Sequence, residues 1–321
     1  MKEGAYYQIE EKGVQMTMEF TNFTTLVREE VERRTGDNYR VRINDVRKNN
    51  GVVLRGLTVM QDDSNISPTI YLNNYYDDYA NGRATFVNVV NDVMDTYHRN
   101  KVNQSVDMRC FLNYESVKHC VVYKLVNTEK NKELLADIPH MEFLDLSIVF
   151  QCMIAQEEFG TASILIHNVH MKLWDVSVEK LYQAARENTQ RLQQYEIKSM
   201  TEILREIASG EDGECDNDDC MAGCQGSVPM YVLSNKSRVE GAACILYPDL
   251  IRDFAEAVGS SCYIIPSSVH EVLLLPAEHE KESAEIKSMI REINDTQVSA
   301  EEILSYSLYF YDREEGRIIR L

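Results

Sequence analysis

No apolar run in the sequence approaches the ~20 residues that would span a bilayer. The best stretch, Phe143 to Ala155, is interrupted by Asp145, Ser147 and Gln151, so no membrane span is expected. Bases are scarce relative to acids: 33 Lys and Arg stand against 52 Asp and Glu, a formal charge of −19. No cluster of five or more bases occurs. This balance disfavours a protein that neutralises nucleic-acid phosphates or docks on anionic lipid, and no direct nucleic-acid binding is expected. The first twenty residues carry Glu3, Glu10, Glu11 and Glu19 and lack the apolar core of a leader peptide, so a cytoplasmic location is expected. A GxxxxGK[ST] loop, a GxGxxG after a strand and a GxSxG are all missing. Common nucleotide enzymes are thereby disfavoured, and no cofactor is expected.

The chain has 321 residues, 44% of them hydrophobic and 26% charged, enough for a sizeable core in one large domain or two. Residues 1–20 lack periodicity and read as a loose extension. Phe23, Leu26, Val27 and Val31 then share a helical face that Gly36 ends. Tyr39, Val41 and Ile43 alternate with Arg40, Arg42 and Asn44, and Asn49-Asn50-Gly51 turns the chain into a return strand from Val52 to Met60. An extended segment at Thr69–Leu72 precedes a helix capped by Thr85, with Phe86, Val89, Val90, Val93 and Tyr97 on one face. Further hairpins are expected at Phe143–Ile154 with Thr161–Val169, at Met230–Leu233 with Ala242–Tyr247, and at Cys262–Ile265 with Val269–Leu275. A last hairpin joins Tyr306–Tyr311 to Arg317–Leu321. Helices are expected at Val178–Ala185, after Pro248 as far as Gly259, and around Ile286–Ile293. Ser299 and Glu302 read as a capping box for a short helix. Hairpin followed by amphipathic helix thus recurs four times, which predicts an α+β fold of antiparallel sheets with helices packed on one face. Residues 209–227 break the pattern with four glycines, six acids and no base, and read as a solvated linker or insert between regions 21–208 and 228–321.

Several strings together resemble a bacterial domain-of-unknown-function family, number 5688. They are Asn49-Asn50-Gly51 with Leu57-Thr58, Pro68-Thr69-Ile70-Tyr71-Leu72, Phe143-Leu144-Asp145-Leu146, and Asn168-Val169-His170 with Trp174. Met230 to Asn235, Gly241-Ala242, Ile245 to Pro248 and Pro266-Ser267-Ser268-Val269-His270-Glu271-Val272 follow in order and are the most specific. The resemblance covers roughly residues 20–321 apart from the acidic insert. It implies a bacterial protein, often associated with mobile elements, and it implies no activity and no catalytic residues.

Four constellations carry chemistry. Ser267, Ser268, His270 and Glu271 offer a nucleophile, a base and an orienting carboxylate, but on a strand Glu271 would point away from Ser268 and His270. These serines also suit a turn. His167 and His170 would lie on opposite faces of a strand and could not share an ion, whereas Asn168 and His170 would share one face as ligand contacts or as mutual partners. Cys215, Cys220 and Cys224 supply three thiols near Asp216, Asp218 and Asp219, short of a complete zinc set. The other five cysteines read as small core residues. Asn73 to Tyr79, with Tyr75 and Tyr76, suits a recognition surface or a polar connection. The expected binding residues are therefore Asn168, His170, Trp174, Asn235, Ser267, Ser268, His270, Glu271, Tyr75 and Tyr76. The expected function is binding, to a protein partner or a small ligand, rather than catalysis. The alternatives are an enzyme of unrecognised class using a Ser/His pocket and an acidic DNA-mimic-like inhibitor from a mobile element.

Overall fold

A computed structural model describes residues 18–101, 108–157, 160–210, 229–277 and 283–321. The chain divides into two compact units. The first holds residues up to 47 and from 53 to 106; the second holds 48–52 and everything from 107 on.

The first unit opens with α1 (Phe20–Thr35), which buries Phe23, Val27 and Val31 at four-residue spacing and stops at Gly36, whose φ of 81° suits glycine. Next, β1 (Tyr39–Arg47) pairs antiparallel with β2 (Val53–Gln61), Val41 opposite Val59. The turn between them takes Asn50 and Gly51 to φ 60° and 71°. The third strand, β3 (Thr69–Tyr71), lies on the other side of β2. After α2 (Asn73–Ala80) comes α3 (Phe86–Asn100), whose first turn is capped by Thr85 Oγ1 accepting the Asn88 N–H at 3.2 Å. Val89, Val90, Val93 and Tyr97 of α3 join Leu57, Val59 and Ile70 in one core with α1. Each such side chain contributes about 1.5–3 kcal/mol by burial.

The second unit contains two antiparallel sheets. A short helix α4 (Tyr114–Val117) leads into β4 (Val121–Asn127), and α5 (Lys132–Leu135) separates it from β5 (His140–Phe143), β6 (Leu146–Glu157) and β7 (Gly160–Leu165). The central strand is β6. It carries β4 along one edge, and β5 then β7 in succession along the other. Two helices follow, α6 (Asn168–Trp174) and α7 (Val178–Leu192), the latter capped by Ser177. The six-stranded sheet starts with β8 (Tyr195–Ser199). After it come α8 (Met200–Gly210), β9 (Tyr231–Asn235), α9 (Leu250–Val258), β10 (Ser261–Ile265), β11 (Val272–Ala277), α10 (Ser283–Thr296), β12 (Tyr309–Asp312) and β13 (Arg317–Arg320). The strand order is β13-β12-β10-β11-β9-β8. One core joins both sheets: Val121, Tyr123, Leu125, Ile148 and Phe150 meet Leu181 and Ala185 of α7, Ile251 and Phe254 of α9, and Leu233, Ile264 and Leu274.

The α+β class and the antiparallel sheets agree with the sequence reading; the details depart from it. Helices do not keep to one face of the large sheet: Tyr263, Ile265 and Phe310 on its second face pack with Ile290 of α10. The fourfold hairpin–helix repeat is incomplete: β1–β2, β6–β7 and β10–β11 are hairpins with helices after them, but residues 242–247 form no strand. Phe143 ends β5 rather than opening β6, because Leu144 turns the chain at φ 56°. Residues 168–170, expected on a strand, instead open the helix α6. Gly241–Leu246 is a 3-10 turn, so β9 pairs instead with β8 and β11. Val269–Glu271 is loop, and Ser299–Glu302 is a single turn rather than a helix. Nor does the acidic segment separate two regions, since β8 before it and β9–β13 after it share one sheet; most of that segment, residues 211–227, lies outside the described residues, as do residues 1–17 of the expected extension. Among the described residues no helix is long and apolar enough to cross a membrane.

Candidate functional site

Two loops of the second unit interlock behind β9. In the first, residues 236–240, Asn235 acts as a template. Its Nδ2 donates to Val239 O at 2.7 Å, and its Oδ1 accepts from Ser237 Oγ at 2.9 Å and from the Val239 N–H at 3.2 Å. This forces Arg238 and Glu240 to φ 54° and 56°, a region that costs an ordinary L-residue about 1–2 kcal/mol. Gly241 follows where no side chain fits: a Cβ would overlap Ser234 Oγ and lie 2.6 Å from both Asn235 N and His270 O. In the second loop, residues 266–271, Ser268 Oγ accepts the His270 N–H at 3.0 Å, and the backbone of Pro266, Ser267 and Val269 is bonded to residues 302–305. The loops are joined by Ser234 Oγ donating to His270 O (2.7 Å) and by the Glu240 N–H donating to His270 Nδ1 (3.2 Å). That second bond puts the ring proton on Nε2, which faces Glu302 Oε1 at 3.5 Å.

The loops aim Glu240 at the four-stranded sheet. Lys124 of β4 and Gln151 of β6 lie on the face opposite Tyr123 and Phe150. Glu240 Oε1 is 2.6 Å from Lys124 Nζ, and Oε2 accepts a short bond from Gln151 Nε2. Gln151 Oε1 in turn accepts from Ser163 Oγ at 3.2 Å. Beside this chain is a cavity of about 110 Å³, lined by Gln151, Met153, Ser163, Gln193, Ser237, Val239 and Glu240, room for three or four waters. Gln193 follows the last turn of α7 and is only 9% exposed. Its backbone carbonyl accepts from Tyr247 OH, whose ionisation burial pushes far up. Its side-chain Nε2 has only Met153 Sδ, at 4.0 Å. Because Lys124 neutralises Glu240, the cleft offers the buried amides of Gln151 and Gln193 and the exposed hydroxyls of Ser163 and Ser237 without net charge.

Of the expected site residues, Asn235, Ser267, Ser268, His270 and Glu271 belong to the two interlocked loops, and the others lie elsewhere. Ser268 and His270 make no nucleophile–base pair: the Ser268 hydroxyl serves backbone, and both His270 ring nitrogens have protein partners. Ser267 lends its carbonyl to the Leu304 N–H. Glu271 lines a separate groove of about 230 Å³ with Glu196, Lys198, Ser234 and Arg238. Asn168, His170 and Trp174 sit on α6, correcting the strand reading of Ile166–His170. His167 caps that helix, and its own N–H donates to His170 Nδ1 at 2.9 Å. The His167 ring turns to Asp137 at 2.7 Å. His170 stacks on Trp174 and meets Phe111 edge-on, Trp174 Nε1 donates to Phe111 O at 2.9 Å, and Asn168 reaches Ala136 O. Burial, then His167, lowers the His170 pKa. In the first unit, Tyr75 OH pairs with Thr96 Oγ1 and Tyr76 OH donates to Met18 O, with the Tyr76 ring against Phe20 and Phe23. Cys215, Cys220 and Cys224 lie outside the described residues, and among the described residues no three His, Cys, Asp or Glu are placed to hold a metal ion. Cys152, Cys244 and Cys262 are buried as expected, but Cys110 is exposed and Cys120 half-buried.

Sequence reasoning passed over Lys124, Gln151, Gln193 and Glu240. The legible signal was a polar residue flanked by apolar ones in the middle of a strand: Lys124 in VVYKLVN and Gln151 in LSIVFQCMI. Residues 20–313 match the family of unknown function DUF5688, and the chain belongs to that family. No curated protein and no solved structure matches it.

Proposed function

We propose that this DUF5688 chain is a binding protein whose recognition site is the cleft at Glu240, taking a small molecule that presents an uncharged amide- or urea-like edge. The observation that carries this reading is the Gln193 side chain: a buried carboxamide, open on its N–H side, facing a cavity of its own size. The Gln193 N–H meets only the Met153 thioether, a weak acceptor, and a ligand carbonyl supplies a stronger one. The neutral balance of Lys124 and Glu240 disfavours an ionic ligand, which would have to break their pair. Gln151, Ser163 and Ser237 add the polar contacts that fix orientation in small-molecule sites.

The test is a titration of the full chain with acetamide and with urea, followed through the methyl resonance of Met153. A saturable shift at Met153 that is absent at Met60, and lost in Gln193→Leu, supports the reading. A shift that grows linearly and equally at both methionines, or that survives Gln193→Leu, refutes it.

A further inference from the structure

The groove of about 230 Å³ that Glu271 lines lies between α8 and the strands β8, β9 and β11. Strand alternation builds its floor. Leu233 and Val272 point into the core shared with the four-stranded sheet, so Val232 and Leu273, which pair with each other across the ladder, point the other way. Lys198 pairs with Val232 and shares its face, as does Glu196 two residues earlier. Glu271 stands two residues before Leu273 and falls on that face too. The helix α8 supplies a wall. A reciprocal cap starts it: the Ser199 N–H donates to Glu202 Oε2 at 2.7 Å, and the Glu202 N–H donates to Ser199 Oγ at 3.2 Å. Met200 and Ile203 then line the groove. Ile207, one turn on from Ile203, stays 62% exposed, so the apolar face of α8 runs on past what the sheet covers.

The charges around this apolar floor do not balance. Lys198 Nζ lies 2.7 Å from Glu206 and 3.4 Å from Glu196, and Arg238 reaches the same two carboxylates at 3.9 and 4.0 Å. Two cations thus share two acids. Glu271 is the third acid, and among the described residues no ion pair or side-chain hydrogen bond reaches its carboxylate. We propose that this groove binds an aliphatic primary amine, with its ammonium on Glu271 and its chain along Val232, Leu273, Met200 and Ile203. Charge sets the sign of the ligand. An anion would have to draw Lys198 or Arg238 from their partners and would face three carboxylates, whereas an ammonium completes the balance. Volume sets its size. The groove holds about seven times the share of one water in the liquid, which is a chain of about six carbons with its nitrogen. The site is separate from the Glu240 cleft, and the inference does not rest on the reading of that cleft.

The experiment titrates the full chain, its methionine methyls isotope-labelled, with n-hexylamine at about pH 7, where the amine is protonated. The Met200 methyl should shift to saturation while Met153, at the Glu240 cleft, stays in place. Hexan-1-ol, with the same chain and no charge, should bind about tenfold more weakly, and hexanoate should not bind. Glu271→Gln should weaken hexylamine about tenfold. Glu196→Gln, at a carboxylate already shared by Lys198 and Arg238, should weaken it less. Circular dichroism of both variants checks that they fold. The proposal is overturned if the Met200 shift does not saturate, if hexanol or hexanoate binds as tightly as the amine, or if Glu271→Gln leaves the affinity unchanged.

Discussion

Replacing Gly241 with alanine isolates the interlock that holds Glu240 in place. The added methyl would overlap Ser234 Oγ and sit 2.6 Å from two backbone atoms, Asn235 N and His270 O, so rotating one side chain cannot relieve it. Overpacking of this kind costs about 1–3 kcal/mol. Displacing Ser234 also breaks its bond to His270 O, about 1 kcal/mol more. The expected loss is therefore about 2–4 kcal/mol. Gly259 is the matched control. It too lies in the second unit, but its φ is 80° with nothing within 4 Å of a Cβ, so Gly259→Ala pays only the backbone term, about 1–2 kcal/mol. The single tryptophan of the chain, Trp174, sits in the second unit and reports both variants by fluorescence in urea. Asparagine tolerates positive φ, so Gly259→Asn should recover much of the loss while Gly241→Asn should be worse than Gly241→Ala. If Gly241→Ala moves the urea midpoint no more than Gly259→Ala, the two loops are not locked as described.

Asp145 accepts from Ser305 Oγ (2.6 Å), Ser307 Oγ (3.0 Å) and Tyr309 OH (2.6 Å). Asp145→Ala strands the buried Tyr309 hydroxyl and should cost about 2–4 kcal/mol; adding Tyr309→Phe should recover part of it in urea melts, and strict additivity would contradict the clamp. His170 has a lowered pKa, so the folded state binds its proton less readily than the unfolded chain. Its contribution is complete above about pH 6.5 and is lost as pH falls below that value, and the pH dependence of stability between 7.5 and 5 should flatten in His170→Gln. An unchanged slope would sink that assignment. Glu240→Gln leaves Lys124 three-quarters buried without its counter-charge and should cost about 1–3 kcal/mol, whereas Lys124→Met with Glu240→Gln should cost less than the two singles combined. A double-mutant cycle measures the difference.

Elements with one clean periodicity were legible. The α1 stripe, the Thr85 cap of α3, the Asn-Gly turn of β1–β2 and the Gly259 stop of α9 all follow from local chemistry that tertiary packing leaves unopposed. Elements buried on both faces were not. β4 reads VVYKLVN, apolar except Lys124 and the terminal Asn127, so it shows no alternation to betray a strand. The segment Ile166–His170 failed for another reason. A histidine cap resembles strand continuation in sequence, and only the reciprocal bond between His167 and His170 shows that a helix begins there. At the site, the motif residues Asn235, Gly241, Ser268 and His270 were found, but their part is to shape and brace two loops. The side chain they present, Glu240, carries no motif, and its partners Lys124 and Gln151 come from strands more than eighty residues earlier.

The two polar junctions between the sheets separate scaffold from site. At Asp145, three hydroxyls converge on one carboxylate; the arrangement is saturated and stabilises. At Glu240, three local costs meet within a few residues: positive φ at Arg238 and Glu240, an ion pair taken largely out of water, and an amide at Gln193 without an oxygen partner. Each is worth about 1–3 kcal/mol against the fold. An apolar pair in place of Lys124 and Glu240, with leucine at Gln193, would fill the same space and stabilise it. Departures from the most stable choice concentrate where a protein handles something other than itself. Here they surround a cavity that opens beside the weakly bonded Gln193 amide, which is why the cleft, rather than the Asp145 junction or the aromatic cluster of Trp174, is where a ligand belongs.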